Sequence, residues 1–92
     1  MNFDASFLYE IGHGFQSDGK HHRAVEFLNQ SIEKDASNSK AFESRAVSLF
    51  QIGEVQKAFN DLDKAIELDP ENHDALYNKA SLLIRQENTE RP

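Results

Sequence analysis

A chain of 92 residues, 38% of them hydrophobic, has material for one small core, and without cysteine it has no disulfide framework, no thiolate nucleophile and no Cys-ligated zinc site. Sixteen Asp and Glu against ten Lys and Arg give a net charge of -6, which speaks against nucleic acid as a partner and leans towards a basic one. No apolar run approaches the roughly 20 residues of a membrane span, and the opening MNFDASFLYE is acidic where a secretory signal is basic, so the expected location is the cytoplasm.

Asp4 is suited to cap a first helix running to about Ser17, with Leu8, Ile11, Gly12 and Phe15 spaced i, i+3, i+4 and i+7 along its inward face. Gly12 and Gly14 each weaken that helix by roughly 1 kcal/mol relative to Ala. Gly12 shares its place with the later Ala46 and Ala80, where helices approach closely; Gly14 has no such reason. Asp18-Gly19 makes a turn, and a second helix runs from about Lys20 to Lys34 with Ala24, Leu28, Ser31 and Ile32 inward and Val25 and Phe27 on the flanks. A third helix, from about Lys40 to Ile52, turns Phe42, Ala46 and Leu49 inward. Gly53 reverses the chain. The fourth, from about Glu54 to Asp69, carries Val55, Ala58, Phe59, Leu62, Ala65, Ile66 and Leu68 and stops before Pro70. Asn72 caps a fifth helix from His73 to about Gln86, whose Leu76, Ala80 and Leu83 are expected inward by analogy with Phe42, Ala46 and Leu49. Residues 87–92 read as a frayed tail.

The chain repeats itself. A shift of 34 residues places Gly53 on Gly19, Ala58 on Ala24, Leu62 on Leu28, Ile66 on Ile32, Glu67 on Glu33, Asp69 on Asp35 and Asn72 on Asn38. The first unit offers Leu8, Ile11-Gly12, Phe15, Ala24, Leu28, Ser31 and Ala36; the second offers Phe42, Arg45-Ala46, Leu49, Ala58, Leu62, Ala65 and Pro70. This pattern of two helices per 34 residues resembles the tetratricopeptide (TPR) repeat. The resemblance implies an all-α, TPR-type α-solenoid of five helices in one domain: repeat one over 5–38, repeat two over 39–72 and a partial repeat or capping helix over 73–86.

As to function, the resemblance implies a non-catalytic protein-interaction scaffold whose first helices line a concave groove. Read by the period, the groove places are Ser6, Tyr9, His13 and Gln16, then Lys40, Glu43, Val47 and Phe50, then Asp74, Tyr77, Ser81 and Ile84, with Arg85 alongside. Tyr9, Val47, Phe50, Tyr77 and Ile84 form the apolar strip expected to supply affinity, and His13, Lys40, Glu43 and Arg85 the polar neighbours expected to supply selectivity. Some members of the family clamp the C-terminal carboxylate of a chaperone with Lys and Asn, then Asn, then Lys and Arg. The matching places hold Tyr9 and His13, then Ser44, then Asp74 and Asn78; none keeps the family residue, and Asp74 repels an acidic tail, so that activity is not expected.

Two other readings compete with the groove. Two and a half repeats lie near or below the roughly three that such arrays need, and the fifth helix carries Leu82, Leu83 and Ile84 in a row, which a two-fold homodimer, the favoured reading, a docked partner protein or the rest of a longer chain would cover. His13, His21 and His22 could hold a metal, but adjacent helical residues point about 100° apart and no carboxylate completes a zinc-like set, so no cofactor is expected. Glu54, Asp61, Asp63, Glu67, Asp69 and Glu71 read as a solvated outer face. Without a nucleophile, a phosphate loop or a dinucleotide fingerprint beside them, catalysis is not expected.

Overall fold

The computed structural model describes residues 3–90, which form five α-helices and no strand: α1 (Ala5–Ser17), α2 (His21–Lys34), α3 (Ser39–Gln51), α4 (Val55–Leu68) and α5 (His73–Glu90). α1 pairs with α2 and α3 with α4 as hairpins, while α3 lies between α1 and α5 in a front layer, with α2 and α4 behind. The result is elongated, 50 × 27 × 18 Å, as hairpins stacked in one direction must be.

Local chemistry sets the helix ends. Asp4 Oδ1 accepts from the Phe7 amide at 2.8 Å, Asn38 Oδ1 from the Lys40 amide at 3.0 Å, and Asn72 Oδ1 from the Ala75 amide at 3.0 Å, each satisfying a donor that the helix cannot. Both hairpin turns use a glycine in the left-handed region, Gly19 at φ 79° and Gly53 at φ 92°. The same lock closes each: the Lys20 amide donates to Phe15 O at 2.9 Å and the Glu54 amide to Leu49 O at 2.8 Å. Position 87 is Glu, and with no glycine to turn the chain, α5 runs straight through it to Glu90. Residues 87–90 are therefore helical rather than frayed, and residues 91 and 92 lie outside the described residues.

The core of the second hairpin meets the first through Val25 and Ile32 of α2, which are partly buried against it. Leu8, Ala24 and Leu28 are buried in the first, and Phe42, Ala46, Leu49, Ala58, Leu62, Ala65, Ala75 and Leu82 form one cluster in the second and under α5. A Cβ on Gly12 would stand 2.7 Å from Leu28 Cγ, so the close approach of α1 and α2 depends on that missing methyl. Buried hydroxyls knit the hairpins at equivalent places from opposite sides. Ser31 of α2 donates to Ala5 O of α1 at 2.7 Å, and 34 residues on, Ser39 of α3 donates to Ala65 O of α4 at 2.7 Å while accepting from Asn72 Nδ2 at 2.8 Å.

Two expectations are corrected. In α5 the buried residues are Ala75 and Leu82, whereas Leu76, Ala80 and Leu83 face solvent. The equivalent stripe of α3 is covered by α4, the helix that follows it, and among the described residues no helix follows α5. Asp61 is also no surface carboxylate: it is buried and accepts from Arg45 Nε and Nη2 at 2.7 and 2.8 Å, while Arg45 Nη1 reaches Asn29 Oδ1 at 2.9 Å. One guanidinium thus ties α3 to both back-layer helices, with the planar fork that carboxylates match.

Candidate partner-binding face

The front layer carries a row of side chains that crosses all three of its helices. On α1, Tyr9 stacks on His13 with ring centroids 5.7 Å apart. His13 Nδ1 stands 3.4 Å from Ser44 Oγ of α3, and that hydroxyl donates to Gln16 Oε1 at 3.5 Å. Beside it, Glu43 Oε2 accepts from Asn78 Nδ2 of α5 at 3.4 Å. At the other end of α3, Phe50 meets Phe59 edge-on at 6.3 Å and carries the Arg85 guanidinium of α5 over its ring at 5.2 Å. With the Gln51 amide oxygen turned to that guanidinium, it accepts from Nη1 and Nη2 at 3.0 and 3.1 Å.

The expected site residues fall into three kinds. Tyr9, Gln16, Glu43, Val47, Phe50 and Ser81 are partly buried, and Phe50 is also packed against the core. His13, Lys40, Asp74 and Arg85 are exposed. Tyr77 and Ile84, 73% and 59% exposed, are the open apolar side chains of the row. Ser44 and Asn78, which bridge the helices, each follow a groove place by one residue and recur 34 apart, so the period that finds Glu43 and Tyr77 also finds them.

The electrostatics of the face are acidic at its middle. Burial pushes the Glu43 carboxyl above the usual carboxylate range, and the Asp74 carboxylate adds to this, against the opposing effects of the Asn72 amide, His13 and Lys40. Burial likewise raises the Tyr9 phenol, followed by Glu43 and Glu10. A further negative charge placed here meets repulsion in a partly dehydrated setting; a cation is welcomed.

Two Ser–His contacts invite a nucleophile reading and do not carry one. His21 Nδ1 stands 2.9 Å from Ser48 Oγ, but Ser48 is fully buried and Ser44, beside His13, is 3% exposed, so both hydroxyls act as joints between helices. Among the described residues no three His, Cys, Asp or Glu side chains group as a metal would need, His13, His21 and His22 included. The dimer surface is corrected as well. Leu82 is 4% exposed and belongs to the core, leaving Leu83 and Ile84 exposed.

Residues 46–86 match the sequence model of the TPR repeat. The second TPR of Spaghetti (RPAP3), solved bound to the HSP90 peptide SRMEEVD, superposes with a TM-score of 0.82 at 26% identity, over 92% of this chain and 79% of that one. The chain is a TPR-repeat protein. Among curated relatives, the protein SGT1 homolog of Oryza sativa subsp. japonica is 36% identical over 64 residues, 70% of this chain and 17% of that protein. Rhomboid protease GluP of Bacillus subtilis is 38% identical over 83 residues, 89% of this chain and 15% of that protein. This TPR chain therefore spans less than a fifth of the length of these relatives.

Proposed function

We propose that this TPR protein is a non-catalytic interaction scaffold that holds an extended or helical segment of a partner protein along the α1–α3–α5 face. The observation that carries the reading is the set of contacts between neighbouring front helices, His13 with Ser44, Glu43 with Asn78 and Phe50 with Arg85, with Tyr77 and Ile84 left open. Aromatic and branched side chains exposed along one polar-rimmed face are what a hot-spot surface requires. The RPAP3 domain bound to an HSP90 peptide supports a peptide as the ligand class. Its peptide is acidic, however, and Glu43 with Asp74 favours the opposite sign here. The segment that fits presents Lys or Arg to that pair and apolar side chains to Tyr77 and Ile84.

A peptide-display selection on the 92-residue chain tests this. Enriched peptides should be basic and apolar, should bind at least tenfold less well to Tyr77→Asp and Ile84→Asp variants, and should outcompete SRMEEVD by a wide margin. Enriched peptides indifferent to both substitutions, or tight binding of SRMEEVD, would overturn the proposal.

A further inference from the structure

The α3–α5 side of the partner-binding face carries opposite charges at its two ends. Two bridges tie these helices directly. At one level Glu43 Oε2 accepts from Asn78 Nδ2 at 3.4 Å; two helical turns further along both helices, the Arg85 guanidinium lies over the Phe50 ring at 5.2 Å and within reach of the Gln51 amide oxygen. Two turns are about 10 Å, and over that length the lines of the two helices pass through the short, partly buried Val47 and Ser81. The first level is negative. Glu43 is half-buried, and after that burial and the opposing Asn72 amide the largest influence on its carboxyl is the Asp74 carboxylate; His13 and Lys40 each counter it with less effect. The second level is positive. Phe50 and Gln51 are neutral, so they fix the guanidinium without cancelling its charge. From Asp74 to Arg85 is three turns, so both stand on one line of α5, about 16 Å apart, with the exposed Tyr77 and Ile84 flanking it.

We propose that Arg85 sets a charge register: the partner segment lies extended along α3 and α5, with paired Lys or Arg side chains against Glu43 and Asp74 and an Asp or Glu roughly three to five residues away, in either chain direction, against Arg85. This rests on the partner-binding reading above and adds to it the opposite end and the spacing. A strand advances about 3.3 Å per residue, so charges about 10 to 16 Å apart are matched by that separation. The bridges decide between extended and helical. Because α3 and α5 touch at both levels, the depression between them admits side chains and has no slot for a helix about 10 Å across. Alternate side chains of an extended segment point to opposite faces, so those turned towards Val47 and Ser81 are small and those beside Tyr77 and Ile84 apolar. Two cations against one anion keep the segment basic on balance.

The test uses the intact 92-residue chain and three synthetic, end-blocked peptides, with binding measured by calorimetry: KKALALE, which has the required spacing; ALKEKLA, the same residues with the charges adjacent; and KKALALK, in which the anion is replaced. KKALALE should saturate the chain and bind several-fold more tightly than either of the others. Arg85→Glu should weaken KKALALE roughly tenfold and restore the loss for KKALALK, a reversal that a merely structural role of Arg85 would not produce. Arg85 is exposed, so circular dichroism should show an unchanged fold, and Arg85→Gln, which should erase the preference for KKALALE over KKALALK, gives a second variant. Equal affinity for KKALALE and ALKEKLA, both weakened by Tyr77→Asp, would overturn the charge register and leave the partner-binding face standing. Binding of both peptides undiminished by Tyr77→Asp would overturn the face and the register together. Absence of saturation by KKALALE at millimolar concentration would overturn the register, and the peptide-display selection would then judge the face by itself.

Discussion

Gly12 and Gly14 stand two residues apart on one helix, yet an added methyl should act on them in opposite directions. At Gly14 nothing lies within 4 Å of a new Cβ, so Gly14→Ala should stabilise the fold by up to about 1 kcal/mol through helix propensity. At Gly12 the same gain meets Leu28 Cγ at 2.7 Å and the Leu28 amide nitrogen at 3.2 Å; overpacking of about 1–3 kcal/mol outweighs it, and Gly12→Ala should destabilise by about 1 kcal/mol net. Urea denaturation of the two variants checks the sign, and a stabilising Gly12→Ala would mean that the two helices separate without loss. Glu43 gives a pH-dependent counterpart. Its folded pKa is raised, so its contribution to stability is fully present below the ordinary carboxylate range and is lost as pH rises through the raised value. At neutral pH the ionised group is a liability. Glu43→Gln should therefore raise the melting temperature at pH 7 by an amount worth less than about 1 kcal/mol, the side chain being only half-buried, and the difference should close as the pH falls towards 4. A variant that melts lower at pH 7 would contradict this.

The helices differ in how far they could be read before folding. Both hairpins are legible because their punctuation repeats: Gly19 and Gly53 take positive φ, Asp4, Asn38 and Asn72 cap, and Ala24, Leu28, Ala58 and Leu62 fill the space between paired helices. The end of α5 was not legible from the period, since a repeat predicts where a turn should fall, while a helix stops only where a residue such as Gly or Pro stops it. Its stripe was misassigned for a related reason: copying Phe42, Ala46 and Leu49 onto Leu76, Ala80 and Leu83 presumes a following helix to bury them. Asp61 was hidden by its company, one carboxylate among many on α4, and Arg45, 16 residues earlier, gave no local sign of pairing with it. Of the candidate face, the period located the places on α1, α3 and α5; the bridging of Ser44 and Asn78 between helices depends on three-dimensional packing. The Arg45–Asp61 pair holds α3 to α4, so Asp61→Ala, which strands the guanidinium, should lower stability by about 1.5–3 kcal/mol with the helix content of the folded protein unchanged. Thermal unfolding followed by circular dichroism measures this, and a loss within about 0.5 kcal/mol would place the pair with ordinary surface bridges.

Stacked hairpins form a nearly one-dimensional object, in which each element is held by its neighbours and the ends are held on fewer sides. α3 stands at the centre of this one, against α1 and α2 on one side and α4 and α5 on the other, and even its serines 39, 44 and 48 are buried. α5 is anchored through Ala75, Leu82 and the buried Asn72–Ser39 contact near its start, while Leu76, Leu83 and Ile84 remain in water. Protection should therefore fall along the chain's last helix. Native-state hydrogen exchange should show the amides of α3 opening only with global unfolding, those of the first turns of α5 at somewhat lower free energy, and those beyond Leu83 lowest of all. Because Tyr77 and Ile84 lie on this helix, a ligand held by them should raise protection along α5, as a ligand that binds only the folded form stabilises it. Uniform protection of α3 and α5 in the free chain would mean that the two hairpins and the last helix unfold as one unit, and that the exposed side of α5 is not loosened by the water on it.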